Sequence, residues 1–176
     1  LFKDGAEVSP IVTVEGTTTY TFELNETGVY TFKVQAVVGN VTSSWSEASG
    51  EHAVDKTAPV ISNASASRTD ASNGSVTFSS NEAGTVYYIV GGEMPSQDDL
   101  ANAEGKKEIG SGETKIDFSN LGTGAANVYL MVVDTAGNKS EIKTVTVPVY
   151  LSKPTTITWV NNTTAAMWNA IPGAEA

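Results

Sequence analysis

No cysteine occurs in the 176 residues, so this chain can build no disulfide framework, zinc–thiolate site or cysteine nucleophile. Basic residues are scarce: 10 Lys and Arg stand against 20 Asp and Glu, for a formal net charge of −10. Nucleic-acid binding needs clustered cations to displace counterions from phosphate, and anionic membrane surfaces attract cations too, so neither is an expected partner. Histidine occurs once, at His52. No apolar run approaches the ~20 residues of a membrane-spanning helix, and no signal peptide opens the chain. Membrane insertion is not expected. The lack of cysteine does not exclude export, since a β-sandwich of ~90–100 residues can bury enough core without covalent staples.

Charged residues make up only 17% of the chain, and its polarity is carried by Thr, Ser, Asn and Gly. Thr packs well on pleated surfaces, while Gly and Asn tolerate the positive φ of tight turns. Leu, Arg, Gln and Lys, which favour helices, are few. The composition predicts an all-β protein. Its acidity suits solubility outside the cell. Both ends read as cuts through something longer: Leu1-Phe2-Lys3-Asp4-Gly5 resembles the end of a strand entering a turn, and Ile171-Pro172-Gly173-Ala174-Glu175-Ala176 stops in mid-loop.

Residues 17–24 (TTTYTFEL) alternate, with Tyr20, Phe22 and Leu24 on one face. After the turn Asn25-Glu26-Thr27-Gly28, residues 29–37 (VYTFKVQAV) alternate again through Tyr30, Phe32, Val34 and Ala36. Two period-two runs joined by a Gly-terminated turn predict an antiparallel pair with one buried face. Residues 41–48 supply a further candidate strand, with Trp45 facing inward. Residues 50–59 (GEHAVDKTAP) show no strand pattern and end at proline, which predicts a boundary.

Beyond it, strand candidates recur about every ten residues: 60–64, 75–79, 85–90, 115–118, 127–133 and 142–149. Such spacing is the signature of a β-sandwich. The runs 85–90 and 127–133 are nearly continuously apolar and are expected to be central and covered on both faces. Within 95–104 (PSQDDLANAE), Ser96 as N-cap with Asp99 three residues on predicts one to two helical turns stopped by Gly105. From Tyr150 the pattern restarts, with a strand at 155–160, a turn at Asn161-Asn162 and a strand at 164–170. An isolated hairpin of this kind is marginal in water.

Leu24, then Tyr30 six residues later, then Phe32, Val34 and Ala36 resemble the later part of a fibronectin type III repeat. The resemblance implies a tyrosine corner at Tyr30, its hydroxyl bonding back to upstream backbone. Lys153 to Ala174, with a Pro-initiated strand, Trp168 and Ala170-Ile171-Pro172-Gly173-Ala174, resembles the beginning of such a repeat. Residues 57–149 resemble the bacterial immunoglobulin-like domains of large surface proteins, through Thr57-Ala58-Pro59 and Val133-Asp134-Thr135-Ala136-Gly137-Asn138-Lys139-Ser140. The resemblances imply tandem β-sandwiches with three parts: 1–54, 55–149 and 150–176. In the out-of-phase ends, Tyr20, Phe22, Tyr30, Phe32 and Trp45 on one side and Ile157, Trp159, Met167 and Trp168 on the other lack covering layers. The tail is therefore expected to complete a 1–54 half, within one chain or, as the better fit, through a strand-swapped homodimer or a head-to-tail chain.

Chemistry has little to stand on. His52 has no nucleophile motif near it and reads as a surface residue. Asp98-Asp99 is explained by helix capping. Gly91-Gly92 and Gly110-Ser111-Gly112 lack the strand-to-helix context and lysine of a phosphate loop. No metal site is assigned; the nearest approach is Asp134 with Asn138, oxygen donors on a turn, a pair that also makes Asx-turns without an ion. Tyr20, Phe22, Tyr30, Phe32, Phe78, Phe118 and Trp168 fall at inward positions of alternating strands and read as core. No cofactor is expected. The function expected is a non-catalytic extracellular or cell-surface spacer or adhesive segment of a larger bacterial protein, with an unknown extracellular protein or glycan as partner. The alternative is an accessory, glycan-binding module of a secreted polysaccharide-degrading enzyme, for which coplanar exposed aromatics would be the mark.

Overall fold

The structure, a computed structural model, describes residues 1–160 and 165–168. The chain is all-β, with several antiparallel sheets and one short helix among the described residues. It divides into two compact units, Leu1–Thr57 and Ala58–Ala176.

The first unit contains β1 (Phe2–Lys3), β2 (Ala6–Glu7), β3 (Gly28–Thr31), β4 (Val37–Val38), β5 (Val41–Thr42) and β6 (His52–Val54). Four of these form a sheet in the order β2-β1-β3-β6, and β4 and β5 pair separately. Asp4 and Gly5 turn β1 into β2 with φ of 51° and 83°, the left-handed pair that matches a two-residue hairpin to the strand twist. Tyr30 is the buried hydrophobic residue of this unit, and its hydroxyl donates to the Glu26 carbonyl at 2.9 Å, the contact that the resemblance implies.

The strand expectations for this unit are met only in part. Strand β3 has β1 on one side and β6 on the other, so it is not the partner of residues 17–24, which form no strand. The division between the two units falls after Thr57, inside the expected boundary segment 50–59, but that segment is not free of strand: it supplies β6, which carries His52 opposite Tyr30. The expected strand 41–48 stops at Thr42, and Trp45 stands 47% exposed rather than inward. Tyr20 and Phe32 are likewise exposed, at 51% and 44%, and among the described residues of this unit no second sheet covers their face.

A serine ladder takes over where β5 ends. The N–H groups of Ser43, Ser46 and Ser49 donate to the carbonyls of Ala36, Val34 and Phe32. In return the three Oγ atoms accept the N–H groups of the same residues at 2.9, 3.1 and 3.0 Å. A three-residue step thus opposes a two-residue step, a bulge repeated along the pair. The hydroxyls take the place of the carbonyl that the extra residue removes from register.

The second unit places β7 (Ile61–Arg68), β8 (Gly74–Ser80), β9 (Gly84–Val90), helix α1 (Gln97–Ala101), β10 (Gly105–Ile109), β11 (Gly112–Phe118), β12 (Ala126–Asp134) and β13 (Lys143–Val147) in chain order. One sheet runs β11-β8-β7 and the other β10-β9-β12-β13, all antiparallel. Strand β10 is absent from the sequence-based expectations, because its charged GKKEI sequence carries no alternation that periodicity could detect. Asn63, at φ 50°, forms the bulge that shifts the register of β7 between Ser62 and Ser65.

Both sheets point apolar residues into one core. Val76, Phe78, Ile116 and Phe118 come from the first sheet, and Val86, Val128, Leu130, Val132 and Val147 from the second. The outer face of the second sheet is apolar too. There Leu100 of α1 covers Tyr129 and Met131, with Tyr87 and Ile89 beside them. Strands β9 and β12 are central, as their apolar runs predict, and β12 is covered on both faces; β9 is covered only in part, with Tyr87, Tyr88 and Ile89 half-buried and Val90 exposed. Helix α1 starts as expected: the Ser96 side chain accepts from Asp99 N–H, and Asp99 reaches back to the Ser96 N–H.

In the tail, β14 (Ile157–Trp159) pairs with β15 (Ala166–Trp168). The expected turn at Asn161-Asn162 and the stretch from residue 169 onward lie outside the described residues. Ile157 and Met167 are 72% and 55% exposed.

Candidate functional site

The two ends of the β7–β13 unit hold its most specific polar chemistry. Register fixes which residues share an end. Ile61 pairs with Ser80, and Gly84 with Asp134; Arg68 pairs with Gly74, and Ala126 with Val147. Strands β7 and β13 pack against each other and run the same way, each from the first end to the second. The chain therefore enters the unit at one end, near Val60, and leaves at the other, near Pro148.

At the entrance end, the backbone N–H of Val60 donates to Asn81 Oδ1 at 2.6 Å, and Asn81 N–H donates back to the Val60 carbonyl at 3.3 Å. The same end carries the turn after β12. Asp134 is buried, and its Oδ1 accepts the N–H groups of Ala136 and Asn138 at 2.8 and 2.9 Å, while Oδ2 accepts Asn138 Nδ2 at 2.8 Å. Gly137, at φ 90°, allows the tight reversal. Burial pushes the Asp134 carboxyl up, but the hydrogen bonds from the Asn138 side chain and the turn backbone outweigh it and hold the group below its usual range. Asp134 and Asn138, the pair named for a metal, thus face each other in an Asx-turn whose donors are N–H groups. Gly84 lies against this turn so closely that a Cβ there would overlap the Val133 carbonyl.

Helix α1 is tied to the same turn. Gln97 Nε2 donates to the Ser140 carbonyl at 2.8 Å, and Lys139 Nζ pairs with Asp98 at 2.6 Å. The Lys139 side chain holds the Asp98 carboxyl below its usual range. Asp98 thus serves an ion pair and Asp99 a cap. Ser140, fully buried, donates from Oγ to the Glu141 carbonyl and accepts the Val132 N–H. A shallow cavity of about 330 Å³ opens beside this end between Pro59, Ile61 and Ile142.

The exit end is organised by Arg68, the only arginine in the chain. Nε donates to the Asp70 carbonyl at 3.2 Å, and Nη1 to the carbonyls of Gly124 and Pro148 at 2.6 and 2.7 Å. Nη2 donates to Ala71 at 3.2 Å and to Gly122. One guanidinium fork joins the β7–β8 turn, the β11–β12 connection and the segment that leaves β13. A planar group with five fixed donors is what such a convergence of carbonyls requires. Tyr150 N–H adds a bond to the Thr123 carbonyl at 2.9 Å. Asp70 caps the β7–β8 turn, and hydrogen bonds from the Asn73 side chain and the Ser72 and Asn73 backbone keep its carboxyl below its usual range.

Sequence reasoning missed both ties. Asn81 follows the SS run of β8 like any turn residue, and only the rarity of arginine marked Arg68. In the first unit, an apolar cavity of about 160 Å³ is lined by Phe22, Leu24, Tyr30, Phe32 and His52. That is smaller than the roughly 300 Å³ at which ligand pockets begin. The Tyr20 and Phe22 rings meet at 72° and the Phe22 and Phe32 rings at 37°, so these aromatics offer no flat stacking surface. Gly91-Gly92 and Gly110-Ser111 lie between elements and Gly112 opens β11, with Gly91, Gly92 and Gly112 at positive φ. Compared with protein-family models and with curated proteins, the chain matches none. Among the described residues no helix is long and apolar enough to cross a membrane.

Proposed function

We propose that the chain is a non-catalytic, extracellular structural segment of a larger bacterial protein, a spacer that sets the distance between the domains on either side of it. In this reading, the unit running from β7 to β13 is an immunoglobulin-like sandwich, with three strands in one sheet and four in the other. The observation that carries the proposal is the through-going path of the chain, which enters beside Val60 and leaves beside Pro148 at the opposite end. Eight residues of β7 at ~3.3 Å each put the two ends on the order of 25 Å apart. A unit whose termini lie at opposite ends adds its length to a chain of such units, whereas one with adjacent termini adds little. Acidity and the lack of cysteine suit a soluble module outside the cell.

Small-angle scattering tests this. When one or two extra copies of residues 58–149 are placed in tandem within the chain, the maximum dimension rises by a near-constant increment of on the order of 25–35 Å per copy. A dimension that grows only as a compact particle grows overturns the reading. Retardation by soluble polysaccharides in affinity electrophoresis would favour the glycan-binding accessory module instead.

A further inference from the structure

Spacing alone does not explain why side-chain-to-backbone ties sit at both points where the chain crosses the unit's ends. A spacer held at both ends transmits any pull through β7 and β13. Because these strands run from the entrance end to the exit end, a pull on the termini acts along them. It loads the five β12–β13 pairs, Ala126↔Val147 through Leu130↔Lys143, together rather than one after another. That sharing holds only while the first bonds inside each terminus stay closed, since fraying there would shorten the loaded ladder.

Those are the points that are reinforced. Val60, one residue before β7, is held in both directions by Asn81. Pro148, one residue after β13, has no N–H with which to extend the ladder, and its carbonyl is taken by Arg68. Arg68 is the last residue of β7, so its side chain joins the end of the first strand to the exit of the last. The same guanidinium holds Gly122 and Gly124, which fix the start of β12 under it. Tyr150 to Thr123 adds a backbone bond outside the tie.

We infer that this unit is built to carry tension along its strands, with Arg68 as the exit tie and Asn81 as the entrance tie. The inference rests on the spacer reading. It goes further, because a passive spacer needs length alone.

The absence of cysteine makes the test direct, since two introduced cysteines are unique attachment points. Full-length chain carrying Ala58→Cys and Leu151→Cys is pulled along the strands at constant force. Chain carrying Ala58→Cys and Glu141→Cys is pulled at the entrance end only, where strands open one bond at a time and the Arg68 tie bears no load. Unfolding under force follows the unfolding rate, so dwell time is the readout. The axial pair is expected to survive the higher force. Arg68→Gln is expected to shorten the axial dwell about tenfold or more while changing the entrance-end dwell much less. Arg68→Lys, which keeps a charge but loses the fork, falls between and serves if the Gln variant does not fold. Val76→Ala, a core change, is expected to shorten both dwells alike. Equal fold-changes for Arg68→Gln in the two geometries, or equal wild-type forces, overturn the inference. Failure of the spacer reading is separate, and shows as the missing length increment in scattering.

Discussion

Both units carry strands of similar alternation, and the two come to opposite ends. In the unit from β7 to β13, the inward residues of β8 and β11 meet those of β9 and β12, and Phe78, Leu130 and Val132 are fully buried. In the first unit the alternation of TTTYTFEL and VYTFKVQAV is just as regular, yet Tyr20, Phe32 and Val34 remain exposed and only Tyr30 is buried. A period of two says that a strand has two different faces. It does not say that a second layer exists to cover one of them. The polar accounting differs in the same way. The second unit satisfies its ends with single side chains that each reach several backbone groups, Arg68 and Asp134. The first uses three serines in series, each meeting one residue of the opposing chain.

The comparison predicts where the chain is fragile. Phe78→Ala removes a fully buried ring from between the sheets and is expected to cost about 3–5 kcal/mol in denaturant unfolding of the second unit. Hydrogen exchange at Val29 and Tyr30, which belong to the other compact unit, is expected to stay unchanged; a parallel loss of protection there would break the distinction. Leu100→Ala uncovers the outer face of β12 without touching the inner core, and a smaller cost of about 2–4 kcal/mol is expected. If the two losses are equal, α1 is as much a part of the core as β8.

Asp134→Ala is expected to cost about 1–3 kcal/mol by stranding the turn N–H groups. Its pH signature is separable. The folded carboxyl lies below its unfolded value, so its contribution is present above the unfolded value and is lost as the pH falls through the folded one. Asp134→Asn should therefore flatten part of the acid limb of the stability curve, leaving the part due to Asp70, which has the same sign. An unchanged acid limb would show that the turn does not titrate with unfolding. Ser96→Ala deletes the α1 cap and is expected to cost ~1 kcal/mol.

The smallest change in stability should come from the first unit. Phe32→Ser is expected to shift stability by no more than about 0.5 kcal/mol, because the ring is already partly exposed. The same substitution bears on association. The uncovered side chains of the first unit and of the β14–β15 hairpin lead us to propose self-association between copies. Light scattering across a concentration range should show the mass rising, and Phe32→Ser lowering it. A monomer at every concentration would remove the proposal.

Much of the second unit is legible in its sequence. The apolar runs 85–90 and 127–133 announce central strands, and Ser96 with Asp99 announces a capped helix, because these signals depend on neighbours a few residues apart. The helix's role as a cover for Tyr129 and Met131 is not legible, since Leu100 is one apolar residue in a polar stretch. Strand β10 escapes notice because its pairing with β9, Gly105↔Tyr88 through Ile109↔Gly84, supplies the order that its own charged sequence does not. In the first unit the tyrosine at position 30 could be placed, with a hydroxyl reaching upstream. The serines at 43, 46 and 49 could not, since their three-residue period acquires meaning only beside the two-residue period of Phe32, Val34 and Ala36.

By itself the sequence determined what is local or compositional: an all-β chain without thiol chemistry, strongly acidic, with turns at its Gly and Asn positions and strands where apolar residues alternate or run together. Only the tertiary structure decided which alternating faces are buried, that residues 17–24 pair with nothing, and that Arg68 gathers carbonyls from three segments as far apart in sequence as Asp70 and Pro148. The reason is physical. Propensity and turn chemistry act over a few residues, whereas burial and the convergence of backbone groups on one side chain depend on which distant segments the fold brings together, and no local pattern encodes that choice.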